Sequence, residues 1–145
     1  MIFLWFFQKY IFFNSAWQSN SDSWIIPSGD RNHTVKDSKL ENEKIIENIT
    51  SAIDDIKGRD VTVIDVRGNS DVTDYYMICT GTSSRHTSAI AEKVNESLRR
   101  NGIRTYGIEG DSTGEWVLLD AGSVILHIMV PQAREAYQLE KLYTF

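Results

Sequence analysis

Gly110, Asp111, Ser112, Thr113 and Gly114 spell the G-x-S-x-G pattern of a serine nucleophile, and Asp120 and His127 follow in the Ser, Asp, His order of α/β-hydrolases. A nucleophile elbow needs a strand before it and a helix after it, so that the serine projects above a sheet. Here the next run, WVLLD from Trp116, reads as a strand, and a polar turn explains the pattern better. His127 falls inside the apolar run VILHIMV, where a structural or interface histidine is a better reading than a general base. Asp65, Asp71, Asp74 and Asp120 could offer oxygen ligands to Mg²⁺ for nucleotidyl or phosphoryl transfer. No tight carboxylate pair precedes a strand end, however, and solvated turn and cap carboxylates account for them. Gly81, Thr82 and Ser83 could cradle an anion at a strand-to-helix turn, with Arg85 and His86 adding charge. Without G-x-x-x-x-G-K or G-x-G-x-x-G, an ordinary helix cap is sufficient. These readings assign no catalytic, cofactor-binding or metal-binding residue.

Trp116 is left as a residue that catalysis does not explain. It leads a short strand among Glu109, Asp111, Glu115 and Asp120, a large aromatic set between negative charges. An aromatic anchor with an acidic rim suits a protein interface facing a basic partner, while burial in the core is the competing reading. The charge balance points to a basic protein partner. Fifteen Lys and Arg stand against twenty Asp and Glu, a net −5, and residues 41–145 alone reach −6. That sign repels phosphate backbones and disfavours broad nucleic-acid binding. The single Cys79 can form no internal disulfide, which fits a reducing compartment.

The elements that must position these residues are legible in the periodicity. Ser38 and Glu41 have capping-box spacing, and Ile45, Ile46, Ile49, Ile53 and Ile56 recur at helical intervals up to Gly58, predicting a first helix. The runs VTVIDV (61–66) and YYMICT (75–80) predict two strands joined by a polar loop. Gly81 to Ser84 offer cap hydroxyls to a helix carrying Ile90, Val94 and Leu98 and ending at Gly102. Ile103 to Ile108 predicts a third strand, and WVLLD with VILHIMV a hairpin of two more. Pro131 opens a final helix in which Ala136, Leu139 and Tyr143 share a stripe beside Ala133, Tyr137 and Glu140. The order α-β-β-α-β-β-β-α predicts one α/β domain over residues 41–145, a mixed five-stranded sheet flanked by helices.

Residues 1–40 have a different grammar. MIFLWFFQKYIFF is interrupted by Gln8, Lys9 and Tyr10 and falls short of the ~18 apolar residues that span a bilayer. Lys9 lies inside the apolar run, where a secretory signal places its charge in front, and the first Arg is Arg31, against an Arg-rich transit peptide. The Ser-, Asn- and Asp-rich stretch that follows has no periodicity. A poorly ordered extension without activity is expected, with an amphipathic surface anchor as the other reading.

The stretches Thr73 to Val94 and Glu109 to Tyr143 closely resemble the ribosomal silencing factor family, the Iojap-related proteins. Thr73-Asp74-Tyr75, Gly81-Thr82-Ser83 with Arg85-His86, Glu109-Gly110, Trp116, Asp120 with Gly122, His127, Arg134, Tyr137 and Leu139-Glu140 occur in family order and spacing. The resemblance covers about residues 41–145. It implies a nucleotidyltransferase-like α/β fold without that superfamily's catalytic carboxylates, and a cytoplasmic location, with mitochondrion or plastid as the alternative. It further implies a non-enzymatic translational repressor that docks on the large ribosomal subunit through ribosomal protein L-fourteen and blocks small-subunit joining when nutrients are scarce. No cofactor, membrane or direct sequence-specific nucleic-acid contact is implied, and the family's tendency to self-associate leaves a homodimer open. The docking residues carried over by the resemblance are Glu109, Asp111, Trp116, Val117, Leu118 and Asp120. Two departures, Ala136 where a larger residue is common and Tyr143 where Trp is common, touch helix packing or dimer contacts. A nucleotide-binding or nucleotidyl-transfer enzyme using Gly81 to Ser83 and nearby Asp residues is the alternative from another class.

Overall fold

The structure, a computed structural model, describes residues 31–143, with side chains from residue 37. The apolar run and polar stretch of the expected extension fall, up to residue 30, outside the described residues.

Helix α1 (Arg31–Asp55) buries Ile45, Ile49, Ala52 and Ile53 on one stripe. It begins ahead of the expected start at Ser38, because Arg31 to Asp37 contain neither Gly nor Pro to stop it; Ser38 and Glu41 are therefore helix-interior positions and not a cap. At its end Lys57 takes φ 63° and the Gly58 N–H returns to the Ile53 carbonyl at 3.0 Å, closing the last turn.

Strand β1 (Arg59–Asp65) pairs antiparallel with β2 (Tyr75–Thr80), with a bulge between Arg59 and Thr62 where Asp60 adopts φ 51°. Helix α2 (Ser84–Arg100) then crosses over the sheet. Ser83 caps it as expected, its hydroxyl accepting from the His86 N–H at 3.2 Å. Strand β3 (Gly107–Glu109) is shorter than the expected run from Ile103. The Ile103 N–H bonds to the Leu98 carbonyl at 2.9 Å, so Ile103 completes the helix cap instead of joining the sheet. Strands β4 (Trp116–Asp120) and β5 (Val124–Met129) form the expected hairpin, and β5 lies parallel to β2. The sheet order is β1-β2-β5-β4-β3, the mixed five-stranded α/β arrangement read from the sequence.

The expected single C-terminal helix is two: α3 (Pro131–Tyr137) and α4 (Leu139–Leu142), broken at Gln138, whose φ is 47°. The break turns Leu139 into the interior and brings Glu140 back to Arg134, which a continuous helix would hold on separate turns.

Alternation along the strands divides the interior in two. Met77, Cys79, Val117, Leu119, Leu126 and Ile128 face α1 and α2, packing against Ile49, Ile53, Ile90, Val94 and Leu98. The other face carries Tyr76, Ile78, Trp116, Leu118, His127 and Met129, with Leu139, Ala133 and Tyr143 of the C-terminal segment packed against part of it. Asn48 and Ser97, each inside a potential glycosylation sequon, hydrogen-bond across α1 and α2 at 2.8 Å. No described helix is long and apolar enough to cross a membrane.

Candidate docking face

Strand β4 presents Trp116, Leu118 and Asp120 to the face away from α1 and α2, and β3 places Glu109 directly opposite Leu118. Val117 points the other way and is wholly buried against the long helices, which sets it apart from the other five docking residues. Asp111 is exposed in the turn between β3 and β4, Glu109 and Asp120 are half-buried, and Trp116 and Leu118 are buried. Asp120 is held by accepting from the Gly122 N–H at 2.8 Å.

That turn is built by two glycines. Gly110 has φ 83°, and a Cβ there would lie 2.2 Å from the Trp116 carbonyl oxygen; Gly114 has φ 68° and would strike Ser84. The Gly114 N–H bonds to the Gly110 carbonyl at 3.1 Å, and the Thr87 hydroxyl donates to the Gly114 carbonyl. The G-x-S-x-G pattern is thus a tight strand-to-strand turn packed onto the start of α2. It presents its serine on no elbow.

Trp116 is only 8% exposed. Its indole N–H donates to His127 Nδ1 at 3.1 Å, and this fixes the tautomer: indole is only a donor, so Nδ1 must be bare and the His127 proton sits on Nε2. Nε2 is buried without a hydrogen-bonding partner among the described residues, and burial pushes the imidazole pKa down to about 3. His127 is therefore a neutral structural acceptor, the role expected of it over that of a base. Around it Tyr76 stacks on Tyr143 with ring centroids 4.1 Å apart.

On its outer side Trp116 packs against Tyr137 of α3, with ring centroids 4.9 Å apart. Tyr137 is 45% exposed. Arg134 anchors its helix: Nη1 donates to the Asp60 carbonyl and Thr80 hydroxyl, Nε to Glu140, and Nη2 to Thr62 and Glu140. Sequence reading placed Tyr137 on a helix stripe and assigned it no contact. Its exposure follows from the break at Gln138, which no Gly or Asn announces.

The groups invoked for nucleotide binding are engaged within the fold. The Thr82 N–H donates to His86 Nδ1 at 2.9 Å and the Ser83 hydroxyl caps His86, so the Gly81 to Ser83 turn spends its polar groups on its own helix. Asp65 binds Arg67, which holds its carboxyl below the ordinary range, and Asp74 accepts from Asn42 at 2.9 Å. A groove of about 350 Å³ opens where β2 and α3 meet, lined by Arg59, Thr80, Thr82 and Arg134, but every nitrogen of the Arg134 guanidinium is already hydrogen-bonded within the fold. Burial pushes the Cys79 thiol up to about 12, far from a reactive thiolate.

Residues 39–144 match the family described as ribosomal silencing factor during starvation. The Haemophilus influenzae protein named ribosomal silencing factor RsfS is 46% identical over 99 residues, 68% of this chain and 97% of that one. The mouse protein named mitochondrial assembly of ribosomal large subunit protein 1 is 36% identical over 102 residues, 68% of this chain and 45% of its own length. A crystal structure of a Chromobacterium violaceum protein, 36% identical, aligns with a TM-score of 0.68 over 70% of this chain and 84% of that one.

Proposed function

This chain belongs to the ribosomal silencing factor family, and from that premise we propose that it represses translation by docking on the large ribosomal subunit and excluding the small one. The docking partner is ribosomal protein L-fourteen, and the protein acts by occupancy, with no turnover. The observation that carries this reading is the Glu109 to Asp120 segment, which holds four carboxylates and no basic residue around Trp116. Ribosomal proteins are basic, so such a surface is steered toward protein and away from RNA phosphate. The mouse relative's name ties a family member to the large subunit and supports the same partner. Steric exclusion requires only an interface of stable size, about 1,200–2,000 Å² in total.

The test is co-sedimentation of the chain with isolated large and small ribosomal subunits, followed by a subunit-joining assay. Binding to the large subunit alone, with loss of joining, is expected. Trp116→Ala is expected to cost about 2 kcal/mol of large-subunit affinity, the scale of an interface hot spot. Binding to both subunits equally, or undisturbed joining at saturation, would sink the proposal.

A further inference from the structure

Trp116 poses a quantitative difficulty for a contact residue: at 8% exposure it has little surface left to give to a partner. The aromatic surface at this place belongs to Tyr137, 45% exposed and packed on the Trp116 ring at 4.9 Å. We propose that Tyr137 is the aromatic that contacts the partner, receiving an arginine or lysine side chain of the docked ribosomal protein on its outer face, and that Trp116 is its positioning residue. This rests on the docking reading above.

Three observations carry it. First, Tyr137 is held in place before any partner arrives. Arg134, one helical turn earlier, ties α3 to the Asp60 carbonyl, Thr62, Thr80 and Glu140, and Trp116 beneath Tyr137 is itself fixed by His127. An exposed aromatic already held in one place loses little conformational entropy on binding. Second, the charge around it fits a cation. Glu115, exposed and next to Trp116 in the chain, accepts at its carbonyl from the Val130 N–H at 3.0 Å where α3 begins. The only base on α3, Arg134, is neutralised by Glu140. Third, the face of a tyrosine ring attracts a guanidinium or ammonium, and carboxylates beside it add to that attraction.

The experiment measures large-subunit affinity of the full chain carrying Tyr137→Ala, Tyr137→Phe, Trp116→Phe or Glu115→Lys, with a urea midpoint for each variant. Expected are a loss of tenfold or more for Tyr137→Ala, near-normal binding for Tyr137→Phe, and in Trp116→Phe a loss smaller than that of Tyr137→Ala, because it keeps the ring platform but not the bond to His127 that fixes it. Glu115→Lys should weaken binding severalfold by reversing the charge next to Trp116. Wild-type binding together with unchanged affinity in Tyr137→Ala overturns the inference while leaving the docking reading intact. Absence of wild-type binding overturns both. An effect of Tyr137→Ala on binding to deproteinised large-subunit RNA, and none on binding to its proteins, would assign the ring to base stacking and overturn the proposal as well.

Discussion

The two faces of the sheet are made of different materials. Toward α1 and α2 the contact is aliphatic, and two helices of 25 and 17 residues cover it. On the opposite face stand Trp116, His127, Tyr76 and Tyr143, with two helices of seven and four residues packed against them. The first face supplies stability through apolar burial and leaves few polar groups to satisfy. The second spends interior volume on a hydrogen-bonded Trp-His pair whose Nε2 has no acceptor among the described residues, an arrangement that costs stability and persists where it holds a surface in shape. The contrast teaches where to look for function in this fold: on the side that is less economical as a core.

The contrast can be broken by substitution. The largest effect is expected for Ile128→Ala on the helix-covered face, a loss of about 3–5 kcal/mol in urea unfolding with large-subunit affinity unchanged in the folded fraction. A loss below about 1 kcal/mol would mean that this face is not the main source of stability. Next is Arg134→Ala, which releases α3 from β1, β2 and Glu140. About 2 kcal/mol should be lost, on the scale of charged hydrogen bonds, together with weakened docking. Normal docking in that variant would separate Tyr137 from its presumed support.

The smallest effect sharpens the role of the buried pair. Folded His127 has its pKa near 3, against about 6.5 when unfolded, so between these values the unfolded chain binds the extra proton. Stability from neutral His127 is therefore complete above about pH 6.5 and falls by about 1.4 kcal/mol for each pH unit below it. Glu140 and Asp65, both held below their ordinary values, lose their contributions only at lower pH, outside the window from 6.5 to 5 assigned to His127. His127→Gln should flatten the slope in that window. An unchanged slope would show that His127 is not the group responsible.

The sequence carried the β4 and β5 hairpin, the strand β2, the Ser83 cap and the buried stripes of α1 and α2, because alternation of two and repeats of 3.6 are local signals. It also carried the candidate segment around Trp116 that the docking proposal uses, because that residue and its carboxylates are adjacent in the chain. It missed the length of α1, where no helix breaker stands between Arg31 and Asp37, and it missed the shortness of β3 and the break at Gln138, which capping bonds and packing decided. Ile103 was claimed by Leu98, and Gln138 took a left-handed conformation that lets Leu139 reach the core and Glu140 reach Arg134.

The list of docking residues shows the same division. Glu109, Asp111, Trp116, Val117, Leu118 and Asp120 could be named from composition and resemblance, and strand alternation alone separates Val117 from its neighbours. That Trp116 is buried on His127, and that Tyr137, distant by 21 positions, covers it and takes the exposure, required α3 to be laid over the end of β4. Local propensity determined which elements exist and which faces are apolar. Packing between elements far apart in the chain decided which aromatic ring meets solvent, because exposure depends on what lies across a residue in space and not on what precedes it in the sequence.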